Sequence, residues 1–379
     1  MRICIVNTDF KLGGQQKAAL MLGTQLLKEE HELIFYSFFP GKPFFDVRDL
    51  DVIIDQTKDN QTFMAKIKRK LLRKILFKSG KADPAHEFDK RHQRLLDYLL
   101  SQQVDIVILN GGFLTTFSQS IKAFIPSIKV IAWQHSSAQI YLEKYYLEIQ
   151  KKYINGLVSS DAVVCLTKED RAIFLNYNAT TVNIANAMTL PREILVSEKC
   201  SQALIFVSRF DIETKGIDYL IEVIKLLPED VIVKFAGSGT LRQENKIKKL
   251  IYKNKVTRRI KFLGALNEKE LAQLYSEGQI FLSTSRWEGF GLSTIEAMSF
   301  GLPIISFDTS GAREILGNNE FGIIIKNFDT KEMAKMIVKV LNDYKLRMAL
   351  GKLAQKRARD FDPQKIKQKW EQLIEEVVK

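Results

Sequence analysis

Short unbroken apolar runs alternate along the chain with longer stretches in which apolar residues recur at helical spacing. The first pattern marks strands buried on both faces, and the second marks helices packed over them. In the first half the runs predict strands at 2–7, 31–38, 104–109, 128–133 and 161–166. In the second half they predict strands at 203–208, 231–236, 259–263, 279–283, 303–306 and 322–325. Strand, loop and helix repeat in that order through both halves, so the expected architecture is α/β, with two Rossmann-like doubly wound parallel sheets. A length of 379 residues also exceeds the size at which a single core stops growing. The expected domains are 1–195 and 196–362, with the link between Asn186 and Ser201 and the segment 363–379 crossing back to the first domain. Ligands of such sheets lie beyond the carboxyl ends of the strands.

Glycines punctuate several of those ends. Residues 285–303, SRWEGFGLSTIEAMSFGLP, place Glu288 and Glu296 on either side of a glycine-bearing turn that opens a helix. Backbone N–H groups freed at such a start, with the positive end of the macrodipole, favour a diphosphate. Gly289 and Gly291 let the chain approach it closely. Ser293-x-x-Glu296 also reads as a capping box, in which Glu296 only returns a hydrogen bond to the helix start. An earlier strand runs into a loop carrying Arg209 and Lys215, a rigid fork and a point charge suited to phosphate oxygens. Taken singly, either cation reads better as a solvated surface charge. FAGSGTLRQ holds an incomplete dinucleotide fingerprint, since Arg242 stands where a third glycine belongs.

As a set, SRFDIETKG, FAGSGTL, KFLGAL, WEGFGLSTIEAMSFGLPII and TSGAREIL resemble the nucleotide-sugar domain of family 4 of the retaining glycosyltransferases, in its order and spacing. The resemblance spans about half the chain. It implies the GT-B fold, two Rossmann-like domains facing across a cleft, and transfer of a sugar from a nucleotide-diphosphate donor, UDP-linked by family habit, to an acceptor hydroxyl. It implies donor binding by Arg209, Lys215, Phe290, Gly291, Leu292 and Glu296, with Glu296 on the ribose hydroxyls. Glu288 and His135 take the catalytic positions on the transferred sugar, His135 from VIAWQHSS. Gly13 and Gly14, in the turn after the first strand, match the glycine loop that lies over the diphosphate. VNIANAM departs from the family, because Ala187 follows Asn186 where glycine is usual. A nucleotide-sugar epimerase of the same fold, or a noncatalytic nucleotide-sugar-binding subunit, are the alternative functions.

Composition describes an ordinary soluble protein, 46% hydrophobic and 27% charged, but the net charge of +13 is unevenly spread. Residues 64–81 hold Lys66, Lys68, Arg69, Lys70, Arg73 and Lys74 among eight cations, with no acid between Asp59 and Asp83 and apolar residues at helical spacing. A basic amphipathic helix of this kind suits an anionic membrane surface, and a core-packed helix with a solvated basic face is the other reading. The expected partners are therefore a nucleotide-sugar donor, a glycan or lipid-linked acceptor of a bacterial surface polymer and an anionic membrane, at the cytoplasmic face of the cell membrane. Nucleic acid is excluded, because aromatics do not interleave the cations. Cys4, Cys165 and Cys200 show no metal or disulfide spacing, and no apolar stretch is long enough to span a bilayer. The D-x-D triplets at Asp49/Asp51 and Asp360/Asp362 follow no strand, so neither metal nor other cofactor is expected. Sugar, base, linkage and oligomeric state are not legible.

Overall fold

The computed structural model describes residues 1–26, 31–56, 83–190 and 203–379. The chain divides into two compact units, Met1–Ala185 with Ile366–Lys379, and Asn186–Lys365. The expected boundary at 195/196 falls in 191–202, outside the described residues, as does the basic stretch with Lys66, Lys68, Arg69, Lys70, Arg73 and Lys74.

The first unit is built on β1 (Arg2–Asn7), β2 (Glu32–Ser37), β3 (Val52–Ile54), β4 (Ile106–Asn110), β5 (Lys129–Trp133), β6 (Ala162–Cys165) and β7 (Thr181–Asn183). All pair in parallel, in the order β3-β2-β1-β4-β5-β6-β7. The second unit carries β8 (Ala203–Val207), β9 (Ile232–Ala236), β10 (Ile260–Gly264), β11 (Ile280–Ser283), β12 (Ile304–Phe307) and β13 (Ile323–Ile325), also parallel, in the order β10-β9-β8-β11-β12-β13. Every residue of β4 is buried, as is every residue of β12. Helices cover both faces of such a strand, which is why it is apolar throughout rather than alternating. The sequence pattern misses β3 and β7. Each has only three residues and sits at a sheet edge, β3 as Val-Ile-Ile and β7 as Thr-Val-Asn.

The strand order reverses between β1 and β4 in one sheet and between β8 and β11 in the other. Loops leaving the two central strands diverge at such a point and open a crevice at their carboxyl ends. The core of the first unit includes Val6, Tyr36, Val107, Leu109 and Phe117 beneath these loops. In the second unit Phe206, Ile221, Phe235, Leu282 and Ile305 serve the same purpose.

The last helix, Pro363–Val378, buries Ile366, Trp370, Leu373, Ile374 and Val377 along one stripe. Its Trp370 meets Trp133 at the end of β5, ring centroids 4.8 Å apart and 70° between planes. Both rings are fully buried, and truncating either to alanine would cost about 3–5 kcal/mol. Among the described residues no helix is long and apolar enough to cross a membrane.

Candidate functional site

In the second unit, the loop after β8 enters a single helical turn, Ile212–Lys215, capped by Asp211, whose carboxylate accepts from Thr214 N–H at 3.1 Å. Gly216 then turns the chain at φ 58° into the helix Ile217–Leu226. A Cβ at Gly216 would lie 1.9 Å from the Thr284 carbonyl oxygen, so only glycine lets this loop meet the end of β11. Thr284 Oγ1 completes the junction by donating to the carbonyls of Lys215 at 3.0 Å and Gly216 at 2.9 Å.

This junction brings two of the expected site residues together. Lys215 Nζ donates to Glu288 Oε2, and Ser285 Oγ donates to the same oxygen at 3.2 Å. Neither Lys215 nor Glu288 is fully exposed, with side chains 15% and 22% accessible, so the pair feels less solvent screening than a surface bridge. Arg286 fastens the loops from below. It grips Asp218 with both nitrogens, at 2.8 and 2.5 Å, and lies over the Tyr219 ring at 4.1 Å. The Glu288 carbonyl accepts from Gly311 N–H at 3.1 Å, and a Cβ at Gly311 would approach that carbonyl oxygen to 2.8 Å. Arg209 stays exposed on the same loop as Lys215, and its carbonyl accepts from Asp211 N–H. Burial raises the Asp211 pKa, but two hydrogen bonds from Thr214 and the nearby charges of Arg209 and Lys215 leave it below the usual carboxylate range.

Gly291 takes φ 104° and caps the helix Leu292–Ser299, which therefore begins before Ser293. Ser293 lies inside the first turn and no side chain caps the helix, so the capping box read from Ser293 and Glu296 does not form. Glu296 is instead buried, accepting from Thr189 Oγ1 through Oε1 and from the Tyr275 hydroxyl through Oε2 at 3.0 Å. Burial, and then the Glu296 carboxylate beside it, push the Tyr275 phenol far up. Phe290 turns its ring into the core against Phe361, centroids 5.4 Å apart, leaving only its backbone for a ligand. Leu292 is half-buried at the first helical position.

In the first unit, β1 leads through Gly13 to the helix Gly14–Leu26, and neither glycine needs a positive φ. Asn7 and Asn110 end the adjacent strands β1 and β4 and are both fully buried. Asn110 Nδ2 donates to Asn7 Oδ1 and, at 3.3 Å, to the Gln15 carbonyl, while Gln15 Nε2 donates to the Asn110 carbonyl. His135, two residues past β5, joins this cluster through Nε2 and Asn110 Oδ1, and its ring lies 4.4 Å from Trp133. Burial lowers the His135 imidazole to about 3, so it is neutral at physiological pH. The following π-helical turn, Tyr141–Tyr145, sets Tyr141 against the backbone N–H groups of His135 and Gly112.

Sequence reasoning does not find Asn7, Asn110, Gln15, Thr189, Tyr275 or Arg286. Asn7 and Asn110 carry a signal, a polar residue closing an otherwise apolar strand at a carboxyl end. Among the described residues no group of three or more His, Cys, Asp or Glu side chains is placed to hold a metal ion. Asp360 pairs with Arg357 at 2.8 Å, and Asp362 caps the last helix through Gln364 N–H.

Residues 191–357 match the family model described as Glycosyl transferases group 1. That span is thus similar to a glycosyltransferase group 1 domain. Arg209, Lys215, Glu288, Gly291 and Glu296 all lie inside the matched span of that domain. Over 368 residues the chain is 25% identical to an uncharacterized glycosyltransferase of Haemophilus influenzae, covering 96% of each chain. It is also 25% identical to a Campylobacter jejuni enzyme named GalNAc-alpha-(1->4)-GalNAc-alpha-(1->3)-diNAcBac-PP-undecaprenol alpha-1,4-N-acetyl-D-galactosaminyltransferase, covering 100% of this chain and 99% of that one. Among solved structures, Anabaena HepE in complex with UDP and glucose superposes with a TM-score of 0.81 at 16% identity, over 99% of both chains. This likeness establishes the fold of the chain, two Rossmann-like parallel-sheet domains of the GT-B type.

Proposed function

We propose that the chain is a retaining glycosyltransferase of family 4 type, which moves a sugar from a UDP-sugar to an acceptor hydroxyl. The observation that carries this reading is the junction of Lys215 and Glu288 at the carboxyl ends of β8 and β11, beside the exposed Arg209. A strand-order reversal is where an α/β sheet binds its ligand. Cations there neutralise charge that develops on a departing diphosphate.

In this mechanism the anomeric carbon–oxygen bond to the diphosphate breaks as the acceptor oxygen bonds to the same carbon. Lys215, Arg209 and the N–H groups opening the helix Leu292–Ser299 stabilise the leaving oxygens, so the reaction needs no metal. Glu288 receives hydroxyls of the donor sugar and shares Lys215 with the diphosphate. Glu296 receives the ribose hydroxyls. A leaving phosphate oxygen takes the acceptor proton on the face the donor leaves, which gives retention without a protein base.

The named Campylobacter relative, whose acceptor is an undecaprenol-linked glycan, supports a lipid-linked acceptor. The cations of 64–81 would then hold the enzyme against the anionic leaflet that presents it. A thermal-shift panel of UDP-, GDP- and dTDP-sugars tests the donor class, since a specific donor at 100 times its Kd stabilises the fold by about 2.7 kcal/mol. Stabilisation by none of them would refute the reading. The anomeric configuration of the product, read by NMR, tests retention.

A further inference from the structure

Asn110 is the hub of the polar cluster beneath His135, and its orientation is decided by a carbonyl. Its Nδ2 faces two acceptors, Asn7 Oδ1 and the Gln15 main-chain oxygen. The second of these cannot be reversed by any side-chain flip. Asn110 Oδ1 is thereby turned to His135 Nε2, and a carbonyl oxygen can only accept. Nε2 must then carry the ring proton. The arrangement leaves a fully buried donor, Asn7 Nδ2, with no partner. Flipping both amides would use that donor, but it would strand Asn7 Oδ1 and set the Asn110 oxygen against the Gln15 carbonyl. The observed arrangement therefore has the lower cost.

We propose that Asn110 is a positioning residue that holds His135 as the Nε2–H tautomer, so that His135 meets a substrate only through Nδ1, as a hydrogen-bond acceptor. Nδ1 makes no hydrogen bond among the described residues. A neutral acceptor repels phosphate oxygens and selects a hydroxyl donor. The contact is thus to a sugar or acceptor hydroxyl, and the diphosphate is excluded from it. The low proton affinity of the ring keeps it an acceptor rather than a base that would remove the proton. This inference rests on the proposed donor only for its second half.

The tautomer is read directly by two-bond ¹H–¹⁵N correlation on the full-length protein, with His135 assigned among four histidines by His135→Gln. The expected result is a pyrrole-type Nε2 and a pyridine-type Nδ1 that stay unchanged from pH 7 to pH 5. A protonated Nδ1, or an imidazolium within that range, overturns the inference. Asn110→Asp keeps an acceptor on Nε2 but adds charge, and should move the ionisation of His135 upward by more than tenfold in proton affinity with the tautomer retained. Asn110→Leu should yield a tautomer mixture. An unshifted His135 in both variants would overturn the positioning role. UDP-glucose, UDP-N-acetylglucosamine and UDP-N-acetylgalactosamine are then compared with UDP. A Nδ1 shift with one of the sugars and none with UDP is expected. Equal shifts with UDP overturn hydroxyl selection. No shift with any of the four, while the tautomer stands, overturns the contact with the donor and leaves the acceptor hydroxyl as the test's next partner, read by the same Nδ1 resonance with N-acetylgalactosaminyl-pyrophosphoryl-citronellol; no response there overturns the contact altogether.

Discussion

His135 makes the stability of the first unit depend on pH in a way that can be computed from its surroundings. Burial lowers the folded imidazole from 6.5 to about 3, so between those values the unfolded chain binds a proton that the folded one refuses. The unfolded state then holds more protons, and stability falls as pH falls through 6.5, levelling out only below about 3. At pH 5 the unfolded imidazole is about 97% protonated, and going from pH 7 to pH 5 costs about 2 kcal/mol from this group alone. With an m-value near 2 kcal/mol/M this lowers the urea midpoint by roughly 1 M. His135→Gln keeps a hydrogen-bonding group and removes the titration. The assay is a urea titration at both pH values in a Trp287→Phe background, where the remaining tryptophans, Trp133 and Trp370, both lie in the first unit. The difference between parent and variant cancels every other titrating group. Equal losses of midpoint in the two proteins would refute the reasoning.

Lys215→Ala and Arg209→Ala should each lower turnover on the order of 100-fold, as removing a donor aimed at developing charge does; near-normal turnover of the double variant in a transfer assay would end the diphosphate assignment. Glu296→Gln should weaken binding of UDP, whereas Glu288→Gln should leave UDP affinity nearly intact and slow transfer from the UDP-sugar. Calorimetry on both decides it, and the reverse order would mean that the two roles are exchanged. Changing Lys66, Lys68, Arg69, Lys70, Arg73 and Lys74 to Gln should abolish cosedimentation with anionic vesicles, which the parent protein should show at low salt and lose at high salt; parent protein that binds neutral vesicles equally would contradict the electrostatic account.

What the sequence reveals and conceals follows from which forces act locally. The central strands are legible because both faces are covered, so each becomes an apolar run; β7, Thr-Val-Asn at an edge, lacks that signal, while β3, Val-Ile-Ile, is too short to stand out from the loop around it. Lys215 and Glu288 are legible as individual candidates, since each stands in a glycine-marked loop at a strand end. Their pairing is not, because it depends on Gly216 fitting against the Thr284 carbonyl, a contact between distant segments. Only the capping-box reading of Glu296 fails, and it fails at the local level. Ser293 and Glu296 have capping-box spacing, but the positive φ of Gly291 starts the helix earlier and turns the carboxylate to Thr189 and Tyr275. Asn110 is hidden for a related reason: a polar residue after an apolar run reads as the start of a loop, and only the pairing of β1 with β4 shows that it is buried.

The Trp133–Trp370 contact has a consequence for synthesis on the ribosome. Everything between Asn186 and Lys365 is made after Trp133 and before the helix that covers it. The second unit has its whole sequence available while the first still lacks a wall, so at about 5–20 residues per second the apolar surface around Trp133 stays open for roughly 10–50 s. The unit translated first is therefore the one that finishes folding last, and chains stalled or truncated before Ile366 would expose a hydrophobic face beside His135 to chaperones and proteases.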